Sequence, residues 1–235
     1  MRIISWNCQG AFRNKTEPVL QCKPDILVIQ ECENAEKIVF PDTQPTDVYW
    51  YSDGGKKGIG LFSFSDYRFT LKNEFESKFR YIIPVEVSSS GQSFTLMAVW
   101  AMNNKENRLA RYIGQVWLAI QHYEHLLEES VILIGDLNSN KIWDYKDRVG
   151  NHSDVVKKLE TFNICSLYHL LYNQPQGGEK HPTLFMNRKI ERPYHVDYCF
   201  ASSDFIEKVN SFQIGSFTEW SKYSDHCPLI IDFKL

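Results

Sequence analysis

The sequence predicts an α/β fold in which two packed β-sheets are covered by helices. The first observation is a series of short β-rich runs separated by turn residues. These runs lie at residues 2–6, 25–29, 59–64, 81–87, 94–100, 131–134, 195–200 and 228–233. The second observation is that helical patterns are few. Strands this numerous with so few helices favour two packed sheets over one doubly wound sheet.

The clearest helical pattern lies over residues 106–128. Its apolar residues recur at steps of three and four, namely Leu109, Tyr112, Ile113, Val116, Ile120, Tyr123 and Leu127. Asn103, with Glu106 three residues later, resembles a capping box and predicts the start of this helix. Shorter helices are predicted over 14–21 and 153–163.

Length and composition indicate one globular domain over residues 1–235. The 235 residues are 43% hydrophobic and 14% aromatic, which excludes a disordered chain. No repeat, low-complexity tract or linker divides the sequence. The formal net charge of −3 disfavours a protein that coats nucleic acid through a broad basic surface. It leaves open an enzyme whose positive charge is local.

Neither a targeting segment nor a membrane span is expected. The first residues run directly into an apolar strand pattern without the features of a signal peptide. No stretch approaches the roughly 20 apolar residues that span a bilayer. The six cysteines are dispersed and form no C-x-x-C pair, so we expect free thiols and a cytoplasmic protein. We assume a monomer, since the sequence carries no signal for its oligomeric state.

Polar side chains follow three of the predicted strands. Asn7 follows the strand 2–6, Glu31 comes shortly after 25–29, and Asp136 and Asn138 follow 131–134. If the three strands run in the same direction, these side chains collect at one edge of the sheet. Each of them alone is more typical of an ordinary turn. Their occurrence together is harder to explain by turns.

Two further segments can reach the same edge. Asp225 and His226 come just before the last predicted strand, 228–233, and an antiparallel strand starting at that edge would bring them there. Asp197 lies inside the apolar run 195–200, where an unpaired carboxylate would be costly to bury.

This set of groups suits the hydrolysis of a phosphoester. Ligands rich in carboxylates and free of thiolates match a hard cation such as Mg²⁺ or Mn²⁺. Such a cation neutralises charge on phosphoryl oxygens and lowers the pKa of bound water. A histidine beside an aspartate is a plausible pair for proton transfer or for stabilising a phosphate.

The ordered motifs resemble the endonuclease/exonuclease/phosphatase superfamily. They are Trp6-Asn7, Gln30-Glu31, Gly135-Asp136-Leu137-Asn138, Val196-Asp197-Tyr198 and Ser224-Asp225-His226, with Gly58–Ser63 similar to the family's glycine-led strand. The resemblance extends from the first strand to the last. It implies a four-layer α/β/β/α sandwich of the deoxyribonuclease I type, with two mixed sheets between helices.

The resemblance also implies a metal site. Glu31 would be the principal ligand, with Asn7 and Asp225 nearby, and Mg²⁺ would be the cofactor with Mn²⁺ as a substitute.

The catalytic roles implied by the resemblance fall on the remaining motifs, with Asn7 counted among them. Asp136 would orient or deprotonate the attacking water, and Asn138 would hold the water or a phosphate oxygen. His226 would stabilise charge on the scissile phosphate and be oriented by Asp197.

One position departs from the family pattern. Where relatives often carry a phosphate-contacting tyrosine or histidine, this sequence has Trp100, whose indole donates one hydrogen bond but cannot act as an acid. Asn103 matches a position that contacts substrate phosphate in nuclease relatives. Arg108 and Arg111, on the predicted helix, could add positive charge. We count these four as substrate-binding candidates.

The substrate is the least determined feature. Nuclease action on DNA is the first hypothesis. RNA, a small phosphoester, a lipid head group and a catalytically silent binding module remain alternatives, although the intact motif set argues against the silent module. Lys56 and Lys57 lie in a turn that could approach substrate. Trp50, Tyr51 and Trp143 could stack on bases, with packing at least as good an explanation.

Overall fold

The computed structural model describes residues 1–234. Its strands are β1 Arg2–Asn7, β2 Ile26–Cys32, β3 Asp47–Tyr51, β4 Gly58–Ser63, β5 Arg68–Leu71, β6 Ile82–Ser89, β7 Gln92–Trp100, β8 Val131–Asp136, β9 Cys165–Ser166, β10 Leu184–Phe185, β11 Pro193–Tyr194, β12 Asp197–Ala201, β13 Val209–Ile214 and β14 Leu229–Phe233. Its α-helices are α1 Thr16–Leu20, α2 Ile113–His122, α3 His152–Glu160, α4 Leu167–Tyr172, α5 Ser203–Ile206 and α6 Phe217–Trp220. Short 3₁₀ helices cover Phe12–Asn14, Ala35–Lys37, Ser77–Phe79, Arg108–Ala110, Glu124–Glu128, Lys141–Trp143 and Met186–Arg188.

The strands form two six-stranded mixed sheets and one small hairpin. The first sheet has the order β13-β14-β1-β2-β4-β3, and the second has the order β5-β6-β7-β8-β12-β9. Strands β10 and β11 pair separately. The predicted α/β architecture with two packed mixed sheets is confirmed.

Three apolar clusters account for the layers. The central cluster joins the facing sides of both sheets, with residues such as Val28 from β2 and Leu96 from β7. A second cluster packs α2 and α3 on the outer side of β8. A third covers the outer side of β1 and β2 and includes Trp6 and Trp220. Because the middle strands are buried on both faces, they appear in the sequence as continuous apolar runs rather than alternating ones.

Strand direction at the middle of each sheet places the predicted polar residues. In the first sheet β1 runs parallel to β2, with Asn7 opposite Gln30, and antiparallel to β14, with Ser5 opposite Leu229. In the second sheet β8 pairs with β12, so that Asp136 lies opposite Asp197. The polar residues were expected at the strand ends of one sheet, and this expectation is wrong. They lie where strand ends of the two sheets meet.

The long helix expected over 106–128 is wrong in extent. Helix α2 covers only ten residues and is preceded by a 3₁₀ turn and by Tyr112 at φ 50°. The Asn104 side chain accepts from the backbone N–H of Glu106 and Asn107, and Asn107 accepts from Leu109. These local hydrogen bonds compete with helical ones. Asn103 consequently caps no helix, and Arg108 and Arg111 lie before α2 rather than on it.

Among the shorter elements, both predicted helices are present and several strands were missed. The helices expected over 153–163 and 14–21 are confirmed as α3 and α1, although α1 covers only Thr16–Leu20 and follows a separate 3₁₀ turn. Strands β3, β5 and β13 were not predicted. All three lie at the edges of their sheets, and their partly exposed residues give no continuous apolar run.

Two sequence expectations concern the chemistry of the whole chain. All six cysteines are free thiols, as expected from their spacing. Within residues 1–234, no helix combines the length and the apolar character needed to cross a membrane.

The pairing of the edge strand β3 with β4 depends on a close approach at Gly58. A Cβ added there would lie 1.9 Å from the Tyr51 carbonyl oxygen, so Gly58→Ala must displace the edge strand. We expect a loss of about 1–3 kcal/mol in the free energy of unfolding, measured by urea denaturation. Gly55→Ala in the same turn is the matched control, since its Cβ would meet nothing closer than 3.5 Å. Equal midpoints for the two variants would contradict this packing.

Candidate active site

One amide group joins the acidic ends of the two sheets. Asn7, at the end of β1, donates from Nδ2 to Asp136 Oδ2 at 2.9 Å and to Glu31 Oε1 at 3.3 Å. Its Oδ1 accepts from the backbone N–H of Gln9. The Asn7 side chain is thereby fixed between the end of β2 and the end of β8, and the site is assembled across both sheets.

A buried triad lies beside this amide. His226 Nδ1 is 2.8 Å from Asp197 Oδ2, and His226 Nε2 is 4.0 Å from Asp136 Oδ2. All three side chains are buried, and their potential ligand atoms lie within 4.8 Å of one another. The sequence predicted that these residues would meet, and the structure brings them together.

Burial and charge together set the protonation of the triad. Burial raises the pKa of Asp136 to about 7, and the charge of Asp197 adds to the rise, while His226 and the Asn7 amide oppose it. For His226, burial lowers the pKa, but the charges of Asp197 and Asp136 outweigh burial and raise it to about 10. The imidazole therefore carries a proton at neutral pH, stabilised by two carboxylates.

Unusual backbone conformations occur where the site residues are presented. Glu31 has φ 57° and lies at a bulge, since Gln30 and Cys32 but not Glu31 pair with β4. Asn138 has φ 45°. Its backbone N–H and its Nδ2 both donate to Asp136, and Nδ2 also donates to the Ala101 carbonyl. Positive φ values at non-glycine residues are costly, and at Glu31 and Asn138 they accompany side chains that contact Asn7 and Asp136.

Lys57 is the cation nearest to Glu31. Its Nζ lies 2.6 Å from Glu31 Oε2, and its side chain passes against Gly10, where an added Cβ would lie 2.9 Å from Cε. The turn that carries Lys57 is held by the Ser52 hydroxyl and the Tyr81 hydroxyl, which both donate to the Lys57 carbonyl. The sequence left open that Lys56 and Lys57 approach substrate, and of the two, Lys57 is the one that contacts Glu31.

The donor atoms around Glu31 fit a hard divalent cation. The Glu31 carboxylate supplies oxygen ligands of the kind such a cation prefers and the Asn7 amide lies beside it, whereas the neighbouring thiols are unsuitable as ligands. Burial raises the pKa of Cys8 to about 12 and that of Cys227 to about 12 as well. These cysteines stay protonated near neutral pH, whereas a metal-binding cysteine must be a thiolate.

Several predicted site residues lie outside the triad. Asp225 is half-buried, and the interaction found for it is a backbone one, in which its carbonyl accepts from Phe185. Trp100 is buried in the central core against Tyr81, with ring centroids 4.8 Å apart. Asn103 is exposed in the loop before α2. Arg108 and Arg111 line a groove that begins at Asn138.

A supporting network was missed by the sequence analysis. The Asn140 side chain donates to the His195 carbonyl at 2.9 Å, to the Tyr198 hydroxyl and to Glu179 Oε2. Glu179 also pairs with His169 at 3.0 Å. Although burial raises the pKa of Glu179, these hydrogen bonds lower it to about 2. The network fixes the chain just before Asp197. Only the position of Asn140, shortly after Asn138, could have signalled it.

Comparisons with known proteins identify the family and the fold of the chain. The sequence model of the Endonuclease/Exonuclease/phosphatase family matches residues 4–226. An AP endonuclease from Archaeoglobus fulgidus has a similar fold, with a TM-score of 0.70 at 20% identity over all of both chains. A 3′-5′ exonuclease, NExo, from Neisseria meningitidis gives 0.68 at 16%, again over all of both chains. The structure of a 3′ phosphatase NExo from Neisseria bound to a product DNA hairpin gives 0.64 at 15%, also over both complete chains. No curated protein matches the sequence.

Because Lys57 already forms an ion pair with Glu31, its positive charge should weaken the binding of a metal ion to this carboxylate. Lys57→Met removes a positive charge 2.6 Å from the carboxylate, so we expect the Kd for Mn²⁺ to fall by about fivefold, the effect of roughly 1 kcal/mol. The measurement is isothermal titration calorimetry. Lys56→Met is the matched control, as an exposed lysine of the same turn, and should leave Kd unchanged. A Kd that stays constant or rises in Lys57→Met would refute this role.

The neutral state of His195 should make stability depend on pH. Burial lowers the pKa of His195 to about 4, although its Nδ1 donates to the His181 carbonyl. The unfolded chain takes up this proton near its ordinary pKa of about 6.5, so stability is complete above that pH and is lost as pH falls toward 4. The slope from this group is at most about 1.4 kcal/mol per pH unit.

His195→Asn tests this dependence, since it keeps a side-chain donor and removes the titrating group. Urea denaturation between about pH 7 and pH 5 should give a shallower loss of stability for the variant than for the wild type. Parallel curves would show that His195 contributes nothing to the acid sensitivity.

Proposed function

Because the chain belongs to the endonuclease/exonuclease/phosphatase family, we propose that it is a divalent-metal-dependent phosphodiester hydrolase and, more specifically, a nuclease that cleaves DNA. The observation that carries this proposal is the buried triad of Asp136, His226 and Asp197, connected through Asn7 to Glu31. A group of buried charges this costly to fold is maintained where chemistry requires it.

The cofactor we propose is Mg²⁺, with Mn²⁺ as a substitute. Glu31 would hold it, supported by Asn7 and by Asp225 at the start of the last segment. When bound, the cation would neutralise charge on the phosphoryl oxygens and lower the pKa of water. The triad is also compact enough to share a cation. We assign the metal to Glu31 instead, because His226 already carries a proton and is engaged by Asp197.

The protonation of the triad supports a division of roles. Asp136, whose pKa is raised to about 7, is suited to take a proton from the attacking water near neutral pH. Asn7 and Asn138 hold its carboxylate by N–H donors. As the water oxygen bonds to phosphorus, the P–O ester bond breaks and the leaving oxygen takes a proton from solvent.

His226 is suited to the charge that develops on the phosphate. Its imidazolium is held by Asp197, and a preorganised positive group in a buried site stabilises an anionic transition state more effectively than it would in water. Asp197 is a positioning residue in this scheme, because it acts through His226. Its own placement depends on Thr183, whose hydroxyl accepts from the backbone N–H of Val196 and Asp197.

The choice of DNA rests on the named relatives of the same fold. One is described as an AP endonuclease, and another is described with a product DNA hairpin. Their low identity to this chain supports the fold and leaves the substrate as our proposal. RNA, a small phosphoester and a lipid head group are the competing substrates.

Hydrolysis of a substrate panel tests the proposal. The panel contains single-stranded, duplex and abasic DNA, RNA, a phosphoinositide and bis(p-nitrophenyl) phosphate, each with Mg²⁺, Mn²⁺ or chelator. We expect metal-dependent cleavage of DNA, reduced by about 10²–10⁴-fold in His226→Ala, and thermal melting must show that this variant, although less stable, is still folded at the assay temperature. His125→Ala is the matched control, since His125 is exposed and pairs with Glu74 outside the triad.

Each other pattern in the panel contradicts a defined part of the proposal. Cleavage of RNA, the phosphoinositide or the small diester with DNA left intact would refute the substrate. Cleavage that persists in chelator would refute the metal. Absence of any hydrolysis would refute the enzyme and favour a binding module of the same fold.

A further inference from the structure

A large groove adjoins the triad on one side. It begins at Asn138 and Ser139 and has a volume of about 1270 Å³. Pockets for small ligands typically occupy roughly 300–1,000 Å³, so the groove exceeds what a small phosphoester needs. Its walls come from the loop before α2 and from the segment between β8 and α3. A longer ligand that passes the triad would fit it.

Exposed aromatic side chains line the groove. Trp143 is 40% exposed, Tyr145 is 68% exposed and Tyr112 is 42% exposed. Trp143 also packs on Tyr194, with ring centroids 5.3 Å apart. Large aromatic faces left in water beside a phosphoester site are what unpaired bases stack on.

The aromatic wall is held on the same support as the triad. The 3₁₀ turn that carries Trp143 is capped by Asn140, whose side chain accepts from the backbone N–H of Ile142. Asn140 is itself buried and donates to the His195 carbonyl two residues before Asp197. The indole and the backbone before Asp197 are thus positioned by one rigid anchor, which is the arrangement a substrate subsite requires.

The charge of the groove is positive, although the chain as a whole carries −3. Its basic residues are Arg108, Arg111, Lys146 and Arg148, against Asp144 and Asp147. Both oxygens of Asp144 accept from the backbone N–H groups that start α3. Within residues 1–234 no ion pair engages any of the four basic side chains. Arg111 and Arg148 donate to backbone carbonyls, which leaves Arg108 and Lys146 as the side chains best able to meet phosphates.

We propose that this groove binds unpaired nucleotides of a single nucleic-acid strand and leads that strand to the triad. The inference rests on the proposed function and adds the form of the substrate. Stacking on Trp143 and Tyr145 requires exposed base faces, which the stacked base pairs of a duplex conceal. The positive charge is confined to one groove, which suits one phosphate backbone better than the two strands of a duplex.

Binding without catalysis tests the groove directly. Fluorescence anisotropy in chelator would compare a labelled single-stranded oligodeoxynucleotide, the RNA strand of the same sequence and the blunt DNA duplex. We expect either single strand to bind about tenfold more tightly than the duplex, the effect of one or two stacked bases. The two single-strand arms then show whether deoxyribose or ribose is preferred.

Three variants separate stacking from general charge. Trp143→Ala should weaken single-strand binding about tenfold, and Trp143→Phe, which keeps an aromatic face, should restore most of it. Arg108→Ala should weaken binding and reduce the slope of log K against log salt by about one. Arg68→Ala is the matched control. Arg68 is exposed and lies beside Ser88 in the neighbouring strand. This is the end of the second sheet that is remote from Asp136.

The outcomes distinguish this inference from the proposed function. Equal affinity for duplex and single strand, or unchanged binding in Trp143→Ala, overturns the groove even if DNA is cleaved. A Trp143-dependent single-strand preference in a protein that cleaves no nucleic acid with Mg²⁺ or Mn²⁺ supports the groove and refutes the nuclease. Thermal melting of every variant confirms that each comparison is made between folded proteins.

Discussion

The fold brings two carboxylates out of water at the place where its sheets meet, and the Asn7 amide makes this possible. Asp136 and Asp197 are opposite each other on neighbouring strands, so their charges repel in a buried setting. The Asn7 N–H groups and the imidazolium of His226 supply the compensation. Removing one partner of such a set leaves a buried charge uncompensated and is strongly destabilising. The hydrogen bonds and charges that form the site therefore also hold the ends of the two sheets together, in addition to the central apolar cluster.

This constraint accounts for the irregular backbone geometry at the strand ends that form the site. The middle strands are packed on both faces and cannot turn their side chains toward a common point by small shifts. The bulge at Glu31, the positive φ of Asn138 and the Gly135 backbone at φ 141° provide that reorientation at the strand ends. An added Cβ at Gly135 would lie 2.0 Å from the Val99 carbonyl oxygen. Part of the local backbone strain therefore lies at residues that carry the chemistry, although positive φ values also occur far from the site, as at Lys23 and Asn163.

The sequence predicted the residues at the ends of buried strands and missed the contacts made by loops. The triad, Asn7 and Glu31 were foreseeable as site residues because each lies in or beside a buried strand, but their meeting across two sheets rather than at the end of one was not. The Asn140–Glu179–His169 network was not, because its members meet only through loops whose paths no periodicity records. The break before α2 was also missed, since the apolar spacing of Leu109 and Ile113 continues through it while Asn104 and Asn107 divert the backbone hydrogen bonds.

The loops that the sequence did not predict also form the surface that is particular to this chain. Reaction chemistry set at the ends of packed strands tolerates little variation, whereas loops carried by a rigid scaffold can change their surfaces freely. In this chain the loop before α2 and the segment from Asn140 to Asn151 supply the aromatic and basic walls of the groove. Asn140 belongs to both systems, since it supports the backbone before Asp197 and caps the turn that carries Trp143. Substrate recognition and catalysis are consequently coupled through one buried side chain. The groove is held rigid by the same residue that supports the catalytic site.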